Sequence, residues 1–391
     1  MSGTIGAIDN DQSESGAGVN RDGTGEARLP GAGRRREEHS GADKRGRRLL
    51  TVAVLVLALA FVAALLLGPA NLASPGTGAL AEAAREWRIV ATIRLPRALA
   101  ALLVGASDVL AGSGASLQTV FRNPLAAPDI LGLSSGAALG AALAILFGWS
   151  GWALQAVAFG GALTAVALVA GFARAMRSTE PTTSLILCGI AVAALLSAAL
   201  ALLTALADPS RQLPAITYWL LGSLAVAPSR ELAVSAALIA AGLFWLWLVR
   251  WQVDALLLPD DEAAALGHDP VRLRAIAIGA AALAASAAVS LTGLIGWVGL
   301  LVPHAARLLT GAAFARSFPL ACVGGAAFLL VVDTTARVLA PIEVPPAVGT
   351  ALVGVPLLLW LLGRSPASGT GGGKRGRPGR RGRAGGGGGQ P

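Results

Sequence analysis

Charge is scarce in this chain. Asp, Glu, Lys and Arg make up 14% of its 391 residues, against roughly 25% in a soluble domain. Hydrophobic residues reach 54%, and the mean hydropathy is +0.66. So few charges cannot cover a water-facing surface, which excludes a cytosolic enzyme. The long apolar runs read as a multi-span membrane protein. Cysteine is nearly absent. Cys188 and Cys322 both lie inside apolar runs, which leaves no disulfide framework and no Cys-based metal site. The three histidines, His39, His268 and His304, form no H-x-x-x-H pair, so no structural metal site is expected. The sequence also lacks G-x-x-x-x-G-K-[ST], H-E-x-x-H and G-x-S-x-G. It therefore binds no ATP through a P-loop of its own and offers no recognisable nucleophile or acid–base set. No catalytic residue, bound cofactor or metal is expected.

The charges that exist are unevenly placed. The net charge is +9, and residues 364–391 carry 7 basic residues and no acidic ones. The body is nearly neutral, with 15 basic and 14 acidic residues over 49–363. Three parts follow: a polar tail over 1–48 expected to be disordered, a membrane domain over 49–363, and a disordered Gly/Arg-rich tail over 364–391. The first tail is too long and polar for a signal peptide. The basic cluster Lys44, Arg45, Arg47 and Arg48 abuts the first apolar run and predicts a cytoplasmic N-terminus. The second tail, also basic, is expected on the same side. Its Lys374–Arg383 cluster suits anionic lipid or RNA, but it has no aromatics for stacking. A low-complexity extension without nucleic-acid partners is the favoured reading.

Apolar runs predict about ten spans, near 49–68, 98–119, 130–148, 154–174, 184–206, 231–250, 275–294, 297–310, 319–340 and 347–363. The short eighth span is compatible with a re-entrant segment. The fold class is all-α and polytopic. Gly132, Gly136 and Gly140 form a row at four-residue spacing, which predicts close packing on one helix face. Trp87, Trp149, Trp152 and Trp251 fall near span ends and fit interfacial belts. Loop charge supports this topology at Arg174 and Arg177 and at Arg250, Arg272 and Arg274. Arg85, Arg88, Arg94 and Arg97 break it, lying on the predicted outer side.

Three polar segments stand out. Residues 251–274 contain a helix-start signal at Pro259 and Asp260–Glu262, a short helix at Ala263–Leu266 and a C-cap at Gly267, before Asp269-Pro270 opens the next element. It is either an ordered connector or a docking knob for a cytoplasmic partner. Arg94-Leu95-Pro96-Arg97 places two arginines at a helix entry with Pro96 in the first turn. Arg337 is expected on the same side of the membrane. Together they suit either carboxylates on a soluble partner or lipid headgroups. Asp333, four residues before Arg337, is a competing intrahelical partner. The stretch from Gln118 through Arg122, Asn123 and Pro124 to Gly132 reads as a Pro-punctuated hinge.

Taken in order, these segments resemble one family: the permease subunits of binding-protein-dependent ABC importers for iron–siderophores, haem and cobalamin (FecCD/BtuC-like). The matching residues are Arg94-Leu-Pro-Arg97, Gln118–Gly132, Ser134–Ala137, Asp261–Gly267, Gly296–Arg307 and Asp333–Arg337. The resemblance implies ten helices per subunit and a dimer with a second copy or a paralogue. It implies two cytoplasmic P-loop ATPase subunits that use the ATP, an extracytoplasmic binding protein, and a plasma-membrane location. It also places ATPase coupling on Pro259, Asp260, Asp261, Glu262, Ala263, Ala264, Leu266 and Gly267, and binding-protein docking on Arg94, Arg97 and Arg337. Ferric siderophore is the favoured cargo, with haem and cobalamin as alternatives. The chain departs from the family pattern by two extra residues between Gly105 and Gln118, which rotate a helix by about 200°. A bulge near Gly112–Gly114 is expected to absorb them. Asp108 falls in this stretch as a pathway or hinge candidate, costly in hydrocarbon unless paired or wet. The competing reading is an ATPase-independent secondary transporter. It would need coupling-ion sites within the membrane, for which Asp108 and Asp333 are the only acids.

Overall fold

The computed structural model describes residues 32–67, 85–107, 112–176, 181–225, 230–340 and 343–364. Residues from Arg45 onward form one compact unit, and those before it form another. The described residues are helical and contain no strand. The helices are α1 (Ala32–Leu66), α2 (Leu95–Ser107), α3 (Gly112–Val120), α4 (Leu133–Leu146), α5 (Gly151–Ala175), α6 (Pro181–Leu206) and α7 (Gln212–Leu221). They continue with α8 (Arg230–Val253), α9 (Asp260–Ala265), α10 (Pro270–Thr292), α11 (Val298–Thr310), α12 (Phe314–Leu339) and α13 (Pro346–Arg364). Among the described residues, seven segments are long and apolar enough to cross a membrane, and α4, α11 and α13 are shorter apolar helices. These ten coincide with the ten apolar runs.

Residue size decides which helix is central. In hydrocarbon no hydrophobic drive pushes helices together, so association depends on backbones approaching closely. Helix α10 is the Ala-rich one, and 67% of its apolar window is buried, against 17% for Leu-rich α6 and 11% for α1. It packs on α2, α3, α4, α5 and α8. Every residue of α3 is buried beside it. Helix α12, 61% buried, lies against α2 and α11. At the α2–α12 crossing a side-chain carbon on Gly105 would sit 2.5 Å from the Gly325 carbonyl oxygen and 2.8 Å from the Ala326 Cα. Gly136 and Gly140 face α5 in the same way, against Gly161 and Val157. Gly132 does not join that face. Its φ of +69° makes it the left-handed entry to α4, so the expected row has two packing members and one cap.

Several local expectations change. Helix α1 begins at Ala32, inside the segment expected to lack structure, where the Arg/Glu-rich run has high helix propensity. The rest of that tail, the C-terminal tail beyond Arg364, Arg177 and Asp108 lie outside the described residues. Helix α2 is described to Ser107 and α3 from Gly112, and the four residues between them lie outside the described residues. Gly112–Gly114 are regular helix, and the residues just before them, 108–111, lie outside the described residues. A π-helical turn lies upstream, at Val90–Arg94, where the Leu95 N–H bonds the Val90 carbonyl. Pro96 follows within one continuous helical run, and the widened turn precedes the residue that lacks an N–H. Helix α7 was not anticipated, being too short to span and adjacent to a polar turn. Gln212 Nε2 donates to the last carbonyl of α4, Leu146, at 3.1 Å, and Ser223 N donates to Thr292 at the end of α10 at 2.7 Å. Helix α7 thus lies across one end of the bundle. Helix α11 has 13 residues, about 20 Å, and is preceded by Trp297 at φ +72°. Trp297 Cβ lies 3.3 Å from a Cβ built on Gly354, midway along α13. The chain therefore crosses fully in α10, returns through the non-helical residues 293–297, and completes the next crossing as α11.

Gly160 and Gly161 give a paired test. A Cβ on Gly161 overlaps the Gly136 carbonyl, whereas one on Gly160 meets nothing within 4 Å. Gly161→Val is expected to cost about 1–3 kcal/mol and lower the thermal unfolding midpoint of the purified protein. Gly160→Val is expected to leave the midpoint unchanged.

Candidate coupling site and the opposite arginine cluster

The connector between α8 and α10 is built as its residues predict. A 3-10 turn, Asp254–Leu257, leads to extended Leu258 and to Pro259, which precedes α9. Asp260, Asp261 and Glu262 occupy the first turn of α9, where the helix dipole favours negative charge. Gly267, at φ +84°, reverses the chain. Asp269 caps α10 by accepting from Arg272 N at 3.0 Å, and Pro270 fills the first turn. Ala263 is the buried foot of α9, while Asp261, Glu262, Ala264 and Leu266 are exposed. The exposed face thus combines two carboxylates with an apolar Leu266, 67% accessible.

One carboxylate holds this helix in place. Asp260 accepts from Arg274 Nη1 at 2.8 Å and also from Arg274 Nη2. Arg122 Nη2 reaches the same carboxylate at 3.0 Å. Arg122 further donates Nε to the Leu256 carbonyl at 2.8 Å and Nη2 to Leu258 O. Arg122 adopts φ +49°, a conformation uncommon outside Gly. Around it the turn is closed by Asn123 N on Gln118 O at 3.1 Å and by Asn123 Oδ1 accepting from Leu125 N at 2.9 Å. Pro124 sits exposed in this turn. Gln118 is fully buried, donating to Leu300 O of α11 at 3.4 Å, so within the single chain it packs between helices. The hydrogen bonds from Arg274 hold the Asp260 carboxyl below its usual range; partial burial opposes them, and the charges of Arg274 and Arg122 add to the lowering. A depressed carboxylate stabilises above its ordinary pKa and loses that contribution only as pH falls through the lowered value. The clamp therefore stays ionised across the neutral range.

Two of these residues were not anticipated in this role. Arg274, a loop-flanking cation in the sequence, is 5% exposed and part of the clamp. Asp254 was read only as part of the connector. It accepts from Phe314 N and, at 3.4 Å, from Ala315 N, and so caps the start of α12. Its distance in sequence from α12 hides that role.

The outer-side arginines turn inward. Asp333, with its side chain 2% exposed, accepts from Arg97 Nη2 at 2.8 Å and from Arg337 Nε at 3.2 Å. Arg97 Nη1 also meets Glu343 at 2.7 Å. Arg94 Nη1 donates to Leu65 O and Leu66 O at 2.9 and 3.1 Å, and Arg337 Nη2 donates to Ala64 O at 3.4 Å. Cations at unsatisfied helix-end carbonyls are favourable. The three arginines thus tie α1, α2 and α12 together. Asp333 and the end of α1 take up several of their donors, while the side chains of Arg97 and Arg337 stay 11% and 13% exposed. Among the described residues no group of three His, Cys, Asp or Glu is placed to hold a metal ion.

Comparison with known proteins settles the family. Residues 50–364 match the model of the FecCD transport family. This chain belongs to that family of ABC-transporter permeases. It is 40% identical over 277 residues to a probable iron chelatin transport system permease protein of Helicobacter pylori, covering 71% of this chain and 83% of the relative. It is also 40% identical over 275 residues to the cobalamin import system permease protein BtuC of Halobacterium salinarum, covering 70% and 73%. A solved structure, an inward-facing conformation of a putative metal-chelate type ABC transporter, superposes with a TM-score of 0.74 at 34% identity. That match covers 82% of this chain and all of the other. The all-α multi-pass architecture and the plasma-membrane setting are those of this family.

Asp260→Asn strips the counter-charge from the buried guanidinium of Arg274. Its expected cost lies between the roughly 1 kcal/mol of an exposed pair and the roughly 3–5 kcal/mol of a broken buried one. Arg122→Gln, losing a half-exposed pair, is expected to cost about 1 kcal/mol or less. Thermal unfolding of the purified variants checks that order. At the other end, Asp333→Asn leaves Arg97 and Arg337 facing each other, and a loss of about 3–5 kcal/mol is expected by the same measurement.

Proposed function

We propose that this chain is the permease subunit of a binding-protein-dependent importer of ferric siderophores. It performs no covalent chemistry. Residues 49–363 form the transporting domain, and both termini, with the α8–α10 connector, face the cytoplasm. Two copies, or this chain and a paralogue, enclose the pathway between them. Two P-loop ATPase subunits use the ATP below them, and an extracytoplasmic protein delivers the cargo above.

The observation that carries this reading is the Asp260 node. A push on the exposed face of α9 reaches both the Arg122 turn and the first turns of central α10 through one carboxylate. That is a short mechanical route from an ATPase surface to the packed core, as alternating access between two states requires. Pro259 and Gly267 set the ends of α9, Asp261, Glu262, Ala264 and Leu266 offer the partner surface, and Ala263 anchors it. At the opposite end, carboxylates of the binding protein dock at the Arg94–Arg97–Arg337 cluster, where half-exposed Glu343 is the partner they exchange with. The iron chelatin relative supports ferric siderophore as the cargo, with haem and cobalamin as the alternatives. Asp333, already held by two arginines, is a poor coupling-ion site, which weighs against the secondary-transporter reading.

Mild-detergent purification of the tagged protein is expected to bring down a stoichiometric P-loop ATPase. Glu262→Lys is expected to abolish ATP-dependent uptake of iron-55 siderophore while leaving membrane insertion intact. Normal uptake by this variant would refute the coupling role, and a lone particle that transports without an ATPase would refute the importer reading.

A further inference from the structure

A groove of about 450 Å³ runs between α5, the start of α6 and α10. Its walls are apolar over most of their length, including Val166, Ala170, Leu185, Ile278 and Ala282. Two arginines line it. Arg174 stands in the last turn of α5 and Arg274 in the first turns of α10. Both positions lie at the bundle end that carries the connector. Arg174 is exposed and makes no ion pair among the described residues. Arg274 has a 6% exposed side chain whose Nη atoms are taken by Asp260, while its Nε is buried without a hydrogen-bond partner. An unpaired buried donor on a cation is costly and calls for an acceptor.

The groove is thus cationic at the membrane boundary and apolar along the hydrocarbon. That is the profile of an amphiphile with an anionic head and a long acyl chain. A soluble anion would leave the apolar walls empty, and a neutral lipid would leave Arg174 without a counter-charge among the described residues. We propose that this groove binds one anionic glycerophospholipid. Its phosphate accepts from Arg274 Nε and pairs with Arg174, and an acyl chain lies along α5 and α10. The lipid and the α9 helix then share the Arg274 guanidinium, so occupancy of the groove bears on the clamp that holds α9. This site stands whether or not the proposed cargo is correct.

The test uses the purified full-length chain in neutral detergent, titrated with phosphatidylglycerol or with phosphatidylcholine of the same acyl chains. Thermal unfolding and native mass spectrometry are the readouts. Phosphatidylglycerol is expected to raise the midpoint by several degrees more than phosphatidylcholine and to leave one retained lipid per chain. Two variants probe opposite ends of the groove. Arg174→Gln removes the exposed cation. Gly279→Leu fills the apolar part from a position where an added Cβ meets nothing within 4 Å. Each is expected to keep the lipid-free midpoint and to weaken phosphatidylglycerol retention by about tenfold, corresponding to about 1.4 kcal/mol. Equal stabilisation by the two lipids overturns the proposal, as a groove covered by a second copy or by the ATPase would give. Unchanged selectivity in both variants, or the same shift from inorganic phosphate alone, also overturns it.

Discussion

The structure rests on how closely backbones approach α10. Lipid tails are as apolar as leucine, so helices in the bilayer are held by van der Waals contact rather than by escape from water. Such contact is short-ranged and is lost if a side chain intervenes. Ala and Gly therefore fill the contact faces of α10, α3, α4 and the α2–α12 crossing, while Leu, Phe and Trp face outward on α6 and α8. A core packed this way shifts as rigid bodies rather than deforming smoothly, which suits the alternating access proposed above.

Charge is handled through two nodes at opposite ends. Asp260 joins the Arg122 turn, the connector and α10. Asp333 joins α2 and α12 and, through Arg337, the end of α1. Helix α12 belongs to both ends: Asp254 of the connector caps its start, and Asp333 and Arg337 occupy its last turns. A displacement of the connector therefore acts directly on the helix that organises the arginine cluster. Each node also brings together residues far apart in sequence, Arg122 with Asp260 and Arg97 with Asp333. These pairs order the helices as well as neutralise charge.

Much of this was legible beforehand, for identifiable reasons. Apolar runs about the length of a bilayer mark the crossings wherever they occur. The cap signals at Pro259, Gly267 and Asp269-Pro270 depend on local backbone chemistry, and the structure realises them where they were read. Helix α7 escaped notice because ten residues cannot span a membrane and its anchors, Leu146 and Thr292, belong to other helices. The π turn at Val90–Arg94 is not legible in the sequence, because propensity does not say where a helix relieves a proline.

The sequence by itself determined what depends on near neighbours: the membrane class, the number of crossings, the capped helix in the connector and, through its ordered motifs, the family. The i,i+4 pair of Asp333 and Arg337 was also legible, but tertiary structure alone decided the long-range partners of the other charges. Arg274 reads in sequence as one more loop-flanking cation, and Arg97 as one more outward arginine. Only the packing of α10 and α12 brings Asp260 and Asp333 to them. An ion pair forms across a few ångströms of space, whatever the number of residues between its partners.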